Sequence, residues 1–104
     1  MSTYKQIRFS VENDAIDTVK KFIKNYADYV GNYAKQHNEE WTWSTFQSTN
    51  EPTEFVSVIS HENANAETRH MEADGTREFA KNLYAHVTDN EQIDYQLIAS
   101  SEPN

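Results

Sequence analysis

The chain has 104 residues, with nine basic and seventeen acidic side chains, a formal net charge of −8 and no cysteine. A chain of this length buries roughly two-thirds of its unfolded surface, so we expect a single domain over residues 1–104. The negative charge disfavours nucleic acid and anionic membrane surfaces as partners. Without cysteine, the chain has no disulfide framework, no thiolate metal ligand and no cysteine nucleophile. The lack of an apolar leader or long apolar run predicts a cytoplasmic protein.

The first two predicted elements are a strand and a long helix. Apolar side chains alternate over residues 5–11, the pattern of a strand with one buried face. Asn13 is a predicted helix N-cap, because its side chain can accept from the free amides of a first turn. Apolar residues then recur at three- and four-residue steps, which predicts a helix that ends near His37.

The next two elements are predicted strands joined by a short polar turn. Residues 41–47 place Trp41 and Trp43 on one face, and residues 54–60 are apolar on both faces. The short connection around Pro52 favours an antiparallel hairpin. A strand with two apolar faces is usually covered on both sides, so we expect helices on one side and a second sheet on the other.

Residues 62–87 have a helical pattern with one interruption. Asp74 and Gly75 break it, which predicts two shorter helices, the second capped by Thr76 or Asp74.

The last predicted strand follows a turn at Asp89 and Asn90 and covers residues 93–99, and residues 100–104 are expected to fray. The order of elements is therefore β-α-β-β-α-β. It predicts an α+β fold of the ferredoxin-like βαββαβ type, a four-stranded antiparallel sheet with its helices on one face.

His70 is the first candidate for chemistry. An imidazole titrates near neutral pH and could act as a general acid or base beside the predicted helix break, so His70 is the candidate catalytic residue. The alternative is a structural histidine, paired with Asp74. Glu67 and His70 have the i, i+3 spacing of a di-iron carboxylate ligand pair, but the second pair that such a site needs is missing from the sequence. We therefore predict no metal.

Aromatic residues form a second candidate set. Trp41 and Trp43 could line a pocket for a flat aromatic ligand by stacking, or could be core or dimer-interface residues. Tyr95 could donate a hydrogen bond to a ligand, or could be a buried tyrosine bonded within the protein. Phe79, from the apolar stripe of the last helix, completes the predicted ligand-binding residues.

Three stretches resemble the antibiotic biosynthesis monooxygenase (ABM) family of dimeric α/β barrels. They are Ala66-Glu-Thr-Arg-His70 followed by Phe79 and Leu83, Trp43-Ser-Thr-Phe-Gln-Ser48, and Phe55-Val-Ser-Val-Ile-Ser-His61. The resemblance covers about residues 40–100, and the first helix by topology alone.

This resemblance implies a ferredoxin-like subunit that pairs with a twin through its sheet, with a ligand cleft between sheet and helices. ABM proteins include oxygenases that oxidise phenolic or anthrone-like compounds without metal or flavin, so no cofactor is expected. Family helices often carry a second histidine five residues after the first, and here that position is Gly75. Haem-degrading relatives have a tryptophan ten residues ahead of a histidine, a pair that this chain lacks, which disfavours haem degradation.

Two functional classes follow from these observations. The first is a cofactor-independent monooxygenase acting on a small hydrophobic aromatic or polyketide-like compound, with His70 as acid or base. The second is a non-catalytic small-molecule-binding dimer. A roomy cleft lined by titratable groups beside His70 would favour the first, and a cleft filled by side chains would favour the second.

Overall fold

A computed structural model describes residues 1–101 of the chain. Its strands and helices follow in the order β1 (Thr3–Val11), α1 (Ile16–His37), β2 (Trp41–Gln47), β3 (Glu54–His61), α2 (Ala64–Glu72), α3 (Asp74–Tyr84) and β4 (Val87–Tyr95). Residues 100 and 101 of the predicted frayed tail carry no regular structure, and the rest of that tail lies outside the described residues.

The four strands form one antiparallel sheet in the order β2-β3-β1-β4. All helices lie on one face, so the predicted α+β, ferredoxin-like fold is confirmed. Strands β2 and β4 are the two edges, and the sheet of this chain is not closed. The predicted antiparallel hairpin of β2 and β3 is also confirmed, with Trp41 opposite His61 and Gln47 opposite Phe55.

The core lies between the sheet and α1, in two neighbouring clusters. In the first, the rings of Phe9 and Phe55 stack 5.3 Å apart under Val19 and Leu83. In the second, the buried residues are Tyr26, Val30, Trp41 and Ile59. The second cluster is the more aromatic, and it positions the candidate site.

The predicted start of the first helix is wrong in its capping residue. Asn13 belongs to a short 3-10 turn, Asn13–Ala15. The N-cap of this turn is Glu12, whose side chain makes no capping hydrogen bond. The buried Ala15 fixes the path of the chain into α1, because it packs into the core beside Val19. The predicted end near His37 is confirmed, with Asn38 as a left-handed C-cap at φ 51°.

The predicted turn at Asp89 and Asn90 is also wrong. Both residues lie inside β4, where they pair with Ser10 and Phe9 of β1. Pairing with a neighbouring strand supplies hydrogen bonds that outweigh the weak strand preference of these two residues.

The break between the last two helices lies one residue before its predicted place. Ala73 is extended, with φ −62° and ψ 141°, and α3 begins at Asp74. Neither Asp74 nor Thr76 caps α3. The Thr76 hydroxyl instead lies 2.9 Å from the hydroxyl of Tyr26 in the interior.

The face of the sheet away from the helices is open. Within residues 1–101 no element covers it, so the expected second sheet is not supplied by this part of the chain. Four large apolar side chains on it are 39 to 58% exposed: Phe46, Val58, Ile93 and Tyr95. Among the described residues, no helix is long and apolar enough to cross a membrane.

Candidate functional site

An open cleft of about 220 Å³ lies between α1 and α3. Its walls come from the facing turns of the two helices: Phe22, Asn25, Tyr26, Tyr29, Gly75, Glu78, Phe79 and Asn82. A cavity of about 150 Å³ suffices to hold benzene, so this cleft has room for one or two aromatic rings. A larger open cleft, of about 600 Å³, lies at the chain start beside Tyr4 and Tyr95. We favour the first because its walls are two packed helices and its base is aromatic.

Stacked rings form the base of the α1–α3 cleft. Tyr26 and Phe79 lie face to face, with centroids 4.2 Å apart and planes 2° apart. Trp43, from the sheet below, meets the Tyr26 ring edge-on at 5.0 Å and the Phe79 ring edge-on at 5.7 Å. Because these rings fill the space between helices and sheet, the opening lies between the two helices instead.

The Tyr26 phenol is held neutral. Burial raises its pKa to about 12, against the opposing effect of the hydrogen bond with Thr76. A phenol in this state can donate or accept a hydrogen bond at neutral pH, but it cannot serve as a base.

Three polar side chains stand around the aromatic base. Asn25 and Asn82 contribute amides, and Glu78 contributes the one carboxylate of the cleft. Within residues 1–101 none of the three makes a side-chain hydrogen bond or ion pair. They can therefore bind the polar edge of a ligand without breaking an internal contact.

Gly75 leaves room for the ring of Tyr29. A Cβ at position 75 would lie 2.3 Å from Tyr29 Cε1, far inside van der Waals contact. The space beside Gly75 is therefore filled by an aromatic ring from α1.

His70 lies outside the α1–α3 cleft, in a buried polar cluster under α2. Its side chain has no solvent exposure and stacks on Trp41, with centroids 4.1 Å apart and planes 9° apart. Its Nδ1 lies 2.8 Å from Nδ1 of His61, and its Nε2 lies 2.5 Å from a carboxylate oxygen of Glu39. The partners of His70 are therefore His61 and Glu39, and Asp74 is not among them.

Electrostatics fix the charge of this cluster. The hydrogen bond from His70, assisted by one from Arg69 at 2.8 Å, lowers the pKa of Glu39. Burial, reinforced by the neighbouring His70, lowers the pKa of His61 to about 4. At neutral pH, Glu39 is ionised and His61 is neutral.

A charged pair lies beside the two histidines. Lys5 Nζ is 2.6 Å from a carboxylate oxygen of Glu67, and both side chains are largely buried. The hydrogen bond from Lys5 lowers the pKa of Glu67. Among residues 1–101 no group of three or more acidic, histidine or cysteine side chains could hold a metal ion.

The predicted ligand-binding residues do not share one site. Phe79 lines the α1–α3 cleft and Trp43 lies directly behind it. Trp41 is buried against His70, at the other cluster. Tyr95 is 49% exposed on the open sheet face, where it lines the cleft at the chain start.

Solved structures share this architecture at low sequence identity. A protein from Bacteroides thetaiotaomicron, named for the antibiotic biosynthesis monooxygenases, superposes with a TM-score of 0.86 at 9% identity, over 99% of this chain and 95% of its own. SnoaB, a cofactor-independent oxygenase from Streptomyces nogalater, gives a TM-score of 0.79 at 16% identity, over 98% of each chain. A Nitrosomonas europaea protein of the same naming gives 0.78 at 14% identity, over 90% of this chain and 88% of its own.

In fold, the chain is ABM-like. No protein-family model matches the sequence, and no curated protein sequence matches it significantly. At identities of 9 to 16% the similarity is one of fold. It does not transfer the activities of these proteins to this chain.

Several residues of the α1–α3 cleft and of the His70 cluster could not be identified as site residues from the sequence. Asn25, Glu78 and Asn82 read as solvated helix positions, because nothing in the periodicity of one helix shows which residues face another helix. Glu39 precedes β2 in a loop. Its hydrogen bond to His70 joins residues 31 positions apart, a separation that only the fold can close.

Proposed function

We propose that this protein is a cofactor-independent monooxygenase that oxidises a small phenolic compound of one or two rings in the α1–α3 cleft. The observation that carries the proposal is the cleft itself: a stacked aromatic base, two free amides and one free carboxylate, in a space of about 220 Å³. Flat rings pack well against such a base, and a few polar groups at its edge fix their orientation. The ABM-like fold, which SnoaB shares, supports the same class of reaction.

The proposed reaction needs only the substrate and molecular oxygen. Glu78 accepts a proton from an activated CH₂ group of the substrate, and Asn25 and Asn82 donate hydrogen bonds to the substrate oxygen that takes up the negative charge. The carbanion reduces O₂, a carbon–oxygen bond forms, and the hydroperoxide takes up the proton. Loss of water then leaves a carbonyl, so that CH₂ and O₂ become C=O and H₂O.

In this proposal His70 supports the fold and does not touch the substrate. A side chain without solvent exposure, hydrogen-bonded on both ring nitrogens and stacked on Trp41, cannot reach a ligand in the α1–α3 cleft. The carboxylate of Glu78 takes the place of the imidazole as the proton acceptor.

The same burial favours a second candidate function. If His70 is structural, the cleft could bind an aromatic compound without transforming it. The protein would then be a non-catalytic small-molecule-binding dimer.

We further propose that the protein is a cytoplasmic homodimer that pairs through the open sheet face. Phe46, Val58, Ile93 and Tyr95 give this face an apolar surface, and helices cover only the other face. A second copy would bury these side chains by the two-fold self-association that is commonest among small oligomers.

Oxygen uptake tests the activity. The parent protein should consume O₂ with at least one member of a panel of tetralones and hydroxytetralones, two-ring compounds with an activated CH₂ group, and Glu78→Gln should lower that rate by about 10² or more. Glu72→Gln, at an exposed site on α2, is the matched control and should keep the parent rate. Equal rates in both variants would overturn the role of Glu78. A panel that binds without oxygen uptake would support the second candidate.

A further inference from the structure

Helix α2 is attached to the rest of the protein mainly by polar contacts. Of its nine residues only Ala66 and His70 are buried. Its polar attachments include the Lys5–Glu67 and Glu39–Arg69 ion pairs and the two hydrogen bonds of His70. Its ring contacts include those of His70 with Trp41 and Tyr33. A segment with few buried apolar contacts belongs to the least stable part of a fold, where local opening is cheapest.

Helix α2 lies between two short non-helical segments. The bend at Glu62 and Asn63 precedes the helix, and the extended Ala73 separates it from α3. Beneath the helix lies Trp41, 5% exposed and stacked on His70. Displacement of α2 would therefore uncover this indole.

The contact between His61 and His70 has room for one proton. Two Nδ1 atoms 2.8 Å apart form a hydrogen bond when one is protonated and the other is bare. The Nε2 of His70 faces the Glu39 carboxylate and carries a proton of its own. The pair can thus hold one positive charge at most, because a second would place protons on both facing nitrogens.

The charged groups around the two histidines do not compensate for an additional positive charge. The charged and titratable groups that face the two histidines come from every packed element: Lys5 of β1, Tyr33 of α1, Glu39 before β2, and Glu67 and Arg69 of α2. Lys5 and Arg69 balance Glu39 and Glu67 while the histidines are neutral. Asp94 of β4 lies 4.0 Å from Lys5 but is 79% exposed, so water screens its charge. Tyr33 contributes the edge-on contact of its ring at 5.3 Å. Each added proton makes the buried cluster net positive.

We propose that α2 is an acid-opened lid: the helix stays closed while His61 and His70 share one proton between their Nδ1 atoms, and it opens when both of these facing atoms carry a proton, uncovering Trp41. This device is independent of the activity proposed for the α1–α3 cleft.

Burial supports the direction of this response. It lowers the pKa of His61 from the usual 6.5 to about 4 in the closed state, whereas in the open state His61 faces water. An open state that binds the proton more readily gains up to about tenfold in population for each pH unit below 6.5.

Amide hydrogen exchange on the parent protein tests the proposal. Between pH 7.5 and pH 5, after correction for intrinsic exchange rates, protection of α2 should fall by about tenfold or more, while α1 and α3 keep theirs as internal references. His61→Gln should abolish this difference, because glutamine does not titrate. His37→Gln, at an exposed histidine that is hydrogen-bonded to the Tyr33 carbonyl and has no contact with His61 or His70 among the described ring and hydrogen-bond pairs, is the matched control and should retain it.

A second measurement needs no variant in the cluster. In a Trp43→Phe background, quenching of Trp41 fluorescence by acrylamide should rise over the same pH range. Protection of α2 that stays constant to pH 5, or that falls together with α1 and α3, would overturn the lid. Quenching of Trp41 that does not change between pH 7.5 and pH 5 would also overturn the lid. This measurement decides the question even if the His61→Gln variant does not fold.

Discussion

The ring of Tyr26 lies flat on the ring of Phe79, with the two planes only 2° apart. This contact joins α1 to α3 across the base of the cleft. On its far side, the Tyr26 hydroxyl bonds to Thr76 at the start of α3. The contact therefore sets the separation of the two cleft walls.

Tyr26 should make the protein sensitive to alkali. Burial raises its pKa above the value of the unfolded chain, from 10.0 to about 12. The stability that this shift represents is complete below pH 10 and is lost as the pH rises toward 12, because the unfolded chain ionises first. The loss should reach about 2 to 3 kcal/mol.

Urea unfolding at a series of alkaline pH values measures this loss, with Tyr26→Phe as the comparison. The phenylalanine variant should show a shallower decline. Identical pH profiles would mean that Tyr26 is not the titrating group.

The two glycines should respond to alanine in opposite directions. Gly31 is exposed in α1, with nothing within 4 Å of an added Cβ, so Gly31→Ala should stabilise the protein by about 0.5 to 1 kcal/mol. Gly75→Ala instead drives a methyl group into Tyr29 and should force that ring to move. We expect lower stability and a weaker affinity for aromatic ligands.

Denaturant melts and ligand titrations of the two variants, side by side, check both expectations. A Gly75→Ala variant with parent affinity and parent stability would mean that the ring of Tyr29 moves without cost and does not shape the cleft.

His70→Ala should act on stability. The change removes a stacked ring from a buried site and leaves His61 and the partly buried Glu39 without their partner, for a loss of about 3 kcal/mol or more. Any oxygen uptake should fall only in proportion to the folded fraction. Folded His70→Ala protein with parent stability but about 10² lower turnover would restore His70 as the catalytic residue.

Replacing a side chain on the open sheet face should separate the subunits. Phe46, 58% exposed on β2, sits where a second copy would pack, so Phe46→Arg should give a monomer near 12.1 kDa in sedimentation at micromolar concentration. Tyr84→Arg is the control on the helical side and should leave the dimer intact. A parent protein that is already monomeric contradicts this part of the account.

The fold was accessible from the sequence because strand and helix periods differ. The alternation in β1 and the apolar stripe of α1 each identify an element, and their order allows one common topology. Asp89 and Asn90 were wrongly predicted as a turn because both residue types have a weak preference for strands. Their pairing with β1 forms only in the assembled sheet.

The site was less accessible for a physical reason. His70 was identified by its residue type and motif, but its burial depends on Trp41, His61 and Glu39, which reach it from other elements. The cleft depends on which side of α1 faces α3, and Asn25 lies outside the apolar stripe that periodicity detects.

The position at which an aromatic ligand binds tests the proposed site most directly. Backbone amide chemical shifts, followed by NMR while a naphthol or tetralone is added, report that position. We expect the chemical-shift changes to be concentrated in residues 22–29 of α1 and 75–82 of α3. Gly75→Ala should weaken them, and Gly31→Ala should leave them unchanged. Shifts confined to the open sheet face or to the cleft at the chain start, or no shift with any member of the panel, would contradict the proposed site.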